Sequence, residues 1–211
     1  MSRSATMTVL FDILVFAIPA IFAITVHEVA HGWVANRLGD PTAARAGRLS
    51  LNPLRHVDPV GTVLVPAAIY LTSGSFFGWA RPVPVDWRRL RNPRRDMALV
   101  AAAGPLSNLV MLVAWILVLL NADPQGAWAR MSWTGVSFNA TIMVLNLLPV
   151  PPLDGSRIVT SLLPAGAAVS YNRIEPFGLL ILAAPLMTGL LGTILRPLVT
   201  GLVGLLGLLF S

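Results

Sequence analysis

Residues 7–38 read MTVLFDILVFAIPAIFAITVHEVAHGWVANRL. About 20 apolar residues are enough for a helix to cross the hydrocarbon core of a bilayer, and this run is longer. Pro19 lies inside it and can kink a helix; Gly39-Asp40-Pro41 supplies the stop. Near its end the run carries His27, Glu28 and His31. Ionisable groups inside a span are costly and call for a functional reason.

The rest of the chain has the same character. Of 211 residues, 55% are apolar and 11% charged, with mean hydropathy +0.75. Soluble domains are roughly a quarter charged, so the composition is that of a membrane protein, with its spans in one bundle. A signal peptide is the competing reading of the N-terminus; Asp12, the lack of a small-residue cleavage site and the continuation into HEVAH favour a retained first span. There is no cysteine, which excludes disulfides and thiolate metal sites. The net charge of +6 comes from arginines in the loops, which fits membrane headgroups rather than nucleic acid.

Further apolar runs cover about 60–71, 97–120, 133–148, 176–187 and 189–210. We expect an all-α polytopic membrane protein with five to six transmembrane or re-entrant helices, in a single domain of residues 1–211. The run 60–71 is short and has Pro66 in its middle, which suggests re-entry rather than crossing. Loops 37–58, 74–96 and 150–175 then share one side with twelve arginines, leaving Arg3, Arg130 and Arg196 on the other. That bias marks the first side as cytoplasmic.

His27 and His31 are four residues apart, so a helix places them on one face about 6 Å apart along its axis. Glu28 is rotated by about 100° and flanks the same face. This is the H-E-x-x-H pattern, in which two imidazoles bind zinc and the glutamate is a general base. The competing reading is a pair of core histidines bonded to a neighbouring helix. A catalytic zinc needs a third protein ligand. His56 and a carboxylate are the candidates. Asp154, in PPLDGSR, is three residues before Arg157, as His31 is six before Arg37, so both lie near one membrane face. Its competing role is a helix N-cap. His56, between NPLR and VDP, reads as a loop residue at an entrance or against headgroups.

HEVAHG, GPLSN at 104–108 and NLLPVPPLDG at 146–155 together resemble the site-2 protease family of intramembrane zinc metalloproteases. LNPLRHVDPVGT and FGWARPVPV resemble its compact prokaryotic branch, which lacks PDZ and CBS domains. The resemblance covers about residues 10–200. It implies one zinc on His27, His31 and Asp154, with Glu28 as the base. It also implies a substrate-holding role for Asn146, for which a helix–helix hydrogen bond is the alternative. A short membrane-associated β element at about 76–87 is expected to align unwound substrate by strand addition, with Trp79 and Arg81 in contact; an interfacial loop anchored by Trp79 and Trp87 is the alternative.

The expected activity is hydrolysis of peptide bonds in or near transmembrane segments, as in regulated intramembrane proteolysis or clearance of signal-peptide remnants. Partners would be transmembrane substrates and membrane lipids, and the place a prokaryotic plasma membrane crossed several times. Two other classes compete: a membrane metal transporter and a non-catalytic scaffold. A carrier has little need of Glu28 beside His27, and a scaffold none.

Overall fold

Helix α1 (Arg3–Arg37) is the axis of the molecule. At 1.5 Å per residue its 35 residues are about 50 Å long, and the helix runs through Pro19 without interruption. Its end is built as the sequence suggests. Gly39 has φ 114°, Asp40 N–H donates to Ala35 O at 2.9 Å, and Gly39 N–H donates to Asn36 O. This closes the helix around a glycine that no β-carbon could replace without strain.

The computed structural model describes residues 3–65, 67, 71, 78 and 80–210. After α1 come α2 (Thr42–Arg45), α3 (Pro93–Asn121), α4 (Ala127–Asn146), α5 (Asp154–Leu162), α6 (Ala165–Asn172), α7 (Gly178–Met187) and α8 (Leu190–Phe210). Short 3-10 turns lie at Pro53–Arg55, Trp87–Arg89 and Glu175–Phe177, and a π-turn at Pro59–Leu64.

Helices α1, α3 and α4 pack on one another, α5 lies on α3, and α8 lies on α4. Small residues let the backbones approach, as in other membrane helix pairs: Ala23, Ala35, Ala101 and Ala140 are at most 1% exposed. Leu112, Ile116, Val136 and Ala140 form one apolar core, covered by Val199, Leu202 and Val203 of α8. A second core of Ala35, Leu90 and Val100 seals the end of α1 against the segment leading into α3.

Two expectations need correction. By length and composition, three described helices can cross a membrane: Leu10–Arg37 within α1, α3 and α8. Five to six were expected. The apolar run 176–187 yields only the ten-residue α7, about 15 Å long, and α4 carries Trp128, Arg130, Asn139 and Asn146 among its apolar residues.

The second correction concerns the β element at 76–87. No described residue is in a strand. The stretch 80–86 is irregular, and its donors explain why. Pro82 and Pro84 have no N–H to offer a ladder. Arg81 N–H goes to His56 O (2.9 Å), Val83 N–H to Glu28 Oε2 (2.7 Å) and Asp86 N–H to Asp40 Oδ2 (2.6 Å). Three separate parts of the fold take these N–H groups, so no neighbouring strand can. Trp79 lies outside the described residues, as does most of the possible re-entrant run beyond Val65.

Candidate metal centre

His27 and His31 occupy successive turns of α1, which turns both rings towards α3. Their Nε2 atoms are 3.0 Å apart. Asp154 is the first residue of α5, and its Oδ2 lies 3.2 Å from His27 Nε2 and 3.3 Å from His31 Nε2. Asp154 is not a capping residue: Leu153 is the N-cap and no side chain caps this helix.

The protonation of the two rings follows from their other nitrogens. His31 Nδ1 is 2.7 Å from Val100 O. A backbone carbonyl only accepts, so this Nδ1 carries a proton, and in the neutral ring Nε2 then presents a lone pair. His27 Nδ1 is 2.6 Å from Asn108 Oδ1, and two fixed acceptors set the amide orientation. Asn139 Nδ2 donates to Gly135 O (2.8 Å), so its Oδ1 faces Asn108. Asn108 Nδ2 donates to that Oδ1 (2.9 Å) and to Ala23 O (3.2 Å). Asn108 Oδ1 must therefore face His27, whose Nδ1 donates to it.

Three potential ligand atoms thus converge within 3.0–3.3 Å of one another. Asp154 Oδ2 is buried and makes no hydrogen bond, a costly state unless a cation fills the gap. A tetrahedral ion held at about 2.0–2.1 Å keeps its ligand atoms about 3.3 Å apart, close to what is seen. The three residues can hold a metal ion, and the locked Nδ1–H groups are the usual device for aiming such imidazoles.

Two glycines make the convergence possible. A β-carbon on Gly104 of α3 would lie 2.4 Å from His31 Nε2 and 2.6 Å from His27 Nε2. One on Gly155 would lie 2.2 Å from Leu147 O, against the turn that delivers Asp154. Arg94 of α3 steadies the far end of α5, its Nε donating to Ser161 O at 2.8 Å and its Nη2 to Leu163 O.

Glu28 sits beside the cluster, part-buried, with Oε2 held by Val83 N–H. The other expected site residues are placed differently. Asn146 ends α4 and donates to Ile142 O one turn back (3.0 Å). Arg81 contributes backbone rather than side chain: its guanidinium is exposed, while its carbonyl accepts from Arg48 Nη2 (2.6 Å). His56 is 3% exposed and its Nε2 donates to Ser50 O (2.8 Å), so it is an interior residue and not a headgroup contact. Sequence reasoning assigned no role to Asn108, Asn139 or Val83. The first two are amides inside apolar runs, and the argument applied to Glu28 would have flagged them as well. The contact of Val83 with Glu28 spans 55 positions and leaves no local signal.

What these helices surround is the metal-binding core of a membrane metalloprotease. Comparison with known proteins agrees. Residues 121–189, which include Asp154, match Peptidase family M50. "Putative zinc metalloprotease YwhC" of Bacillus subtilis (strain 168) is 39% identical over 191 residues, covering 86% of this chain and 84% of that protein. Rip2 of Mycolicibacterium smegmatis, named in the same form, is 32% identical over 175 residues, covering 80% of this chain and 64% of that protein. A similarly named protein of Methanocaldococcus jannaschii is 25% identical over 154 residues, 71% of this chain and 72% of its own. No solved structure matches. The chain belongs to peptidase family M50, the site-2 protease family.

Proposed function

We propose that residues 1–211 form a single intramembrane endopeptidase domain that uses one zinc ion. It hydrolyses peptide bonds in or near transmembrane segments of other membrane proteins, from a multi-pass position in a prokaryotic plasma membrane. Release of a membrane-tethered regulator and clearance of signal-peptide remnants are both roles of this kind. The observation that carries the reading is the convergence of His27 Nε2, His31 Nε2 and Asp154 Oδ2 within 3.0–3.3 Å, beside Glu28. The relatives, named as zinc metalloproteases, supply the choice of zinc.

His27, His31 and Asp154 would hold the zinc. When bound, the ion polarises the substrate carbonyl and makes water more acidic. The remaining work falls to the chain. Asn108 and Val100 keep both Nδ1 atoms protonated, so the Nε2 lone pairs stay available. Glu28, tethered through Oε2, has Oε1 left to take the proton from water and hand it to the leaving amine. Such general acid–base catalysis is worth about 10²–10⁴-fold. An apolar cleft lined by Ile18, Ile21, Phe22, Thr25, Val26 and Leu51 runs along α1 just before His27. Its lining suits an apolar substrate segment, which must unwind locally because its peptide groups are bonded within its own helix. Asn146, Trp79 and Arg81 remain proposed substrate contacts. In the test, purified protein is incubated with single-span peptides, with and without chelator. Cleavage that stops with chelator and returns with zinc supports the reading; cleavage indifferent to chelator refutes it.

A further inference from the structure

Arg48 is 8% exposed. Among the described residues no carboxylate lies within 4.0 Å of it. Its Nη2 donates to Arg81 O at 2.6 Å, and its Nε is buried without a partner. A buried cation lacking a counter-charge is expensive, and a single carbonyl acceptor is small compensation. Burial pushes the guanidinium below the usual arginine range, as does the charge of Arg81, while the Glu28 carboxylate opposes both. Arg48 is therefore within electrostatic reach of Glu28.

Its placement is rigid. Arg48 N–H donates to Ala43 O (2.9 Å) and Gly47 N–H to Ala44 O (3.0 Å), with Gly47 at φ 65°, so Arg48 directly follows the glycine-closed end of α2. Helix α2 is itself fixed to the end of α1, since Asp40 Oδ1 accepts from Thr42 N–H at 3.0 Å. Next to Arg48, Leu49 reaches Gly32 of α1, and so does Val83: a β-carbon on Gly32 would lie 2.7 Å from one and 2.8 Å from the other. The chain thus leaves α1, turns through α2, and returns to α1 along Arg48, Arg81 O, Val83 N–H and Glu28 Oε2.

We propose that Arg48 is the positioning residue for Glu28, acting through the Arg81–Val83 backbone. The proposal rests on the reading of Glu28 as the general base. Pro82 and Pro84 have no N–H, so between Arg81 and Asp86 the known anchors are few: His56 O, Arg48, Glu28 and Asp40. Removing Arg48 frees the Arg81 carbonyl and lets the peptide that carries Val83 N–H turn away. The planar fork of arginine is suited to this because it meets the carbonyl in a fixed geometry that a lysine only approximates.

The experiment measures kcat, KM and bound zinc for full-length R48A, R48K, V83P and E28Q on a single-span peptide. A misplacement of about 1 Å in a catalytic group costs on the order of 10²-fold in rate. R48A is expected to keep its zinc, hold KM within about threefold and lose kcat by about 10–100-fold. R48K should recover part of that loss. V83P, which deletes the N–H that Glu28 accepts and alters the Val83 side chain beside Gly32, should match R48A in kcat and zinc content; it decides the matter should R48A not fold. Wild-type kcat in R48A or V83P overturns the proposal, as does loss of zinc in either, which would assign the residue to the metal or the fold. An active E28Q instead overturns the reading of Glu28, whatever Arg48 does.

Discussion

Gly104→Ala puts one methyl group where α3 passes the two imidazoles. The new carbon would lie 2.4 Å from His31 Nε2, 2.5 Å from His27 Cε1 and 2.6 Å from His27 Nε2. Ordinary contact begins near 3.4 Å, so both rings must retreat by roughly 1 Å, several times the ~0.2 Å latitude of a metal site. Neither ring is free to do so while its Nδ1 is bonded to Asn108 or to Val100 O. Losing those two bonds costs about 1 kcal/mol each. Alanine in place of glycine in a helix interior returns about 0.8–1 kcal/mol. The metal-free fold should therefore weaken by only about 1 kcal/mol, while zinc affinity falls at least ~100-fold, about 2.7 kcal/mol. Zinc competition against a chromophoric chelator measures the second quantity, and thermal unfolding of metal-free protein the first. If G104A bound zinc as tightly as the parent, or unfolded at a higher temperature with its zinc in place, the steric reasoning would be wrong.

Glu28→Gln should keep the zinc and lower kcat by about 10²–10⁴-fold; elemental analysis beside peptide cleavage checks both. Asn108→Leu removes the acceptor for His27 Nδ1–H and should weaken zinc by about 10–100-fold, seen as a lower chelator concentration for half-loss. Asp154→Asn should abolish stoichiometric zinc while leaving α5 helical by circular dichroism, because the carboxylate does not cap that helix. The Asp12–Arg130 pair between α1 and α4 is about half exposed, so Asp12→Asn should change stability by under about 1 kcal/mol and leave cleavage untouched.

The metal cluster was legible because its strongest signal is local. Four-residue spacing on a helix fixes the geometry of His27 and His31, and the distance of Asp154 from its loop arginine placed it at the same depth. The β element at 76–87, expected with the resemblance, is not found among the described residues. Pro82 and Pro84 remove every second donor there, Val83 N–H serves Glu28, and Arg81 N–H just before them serves His56 O. The count of spans erred because apolar runs were weighed without their realised lengths: α7 stops at ten residues. Asn108 and Asn139 were readable in principle, as fully buried amides in membrane helices. The route from Arg48 to Glu28 was not, because it joins three distant chain segments through the Arg81–Val83 backbone.

His27 and His31 come from the first helix, whereas Asp154 opens a segment far along the chain. An ion gripped by all three is a staple between the first helix and a distant part of the chain. Whatever tightens that grip also raises the melting temperature, in proportion to the logarithm of free ion over its dissociation constant. Starving the protein of metal would therefore loosen its architecture as well as silence its chemistry.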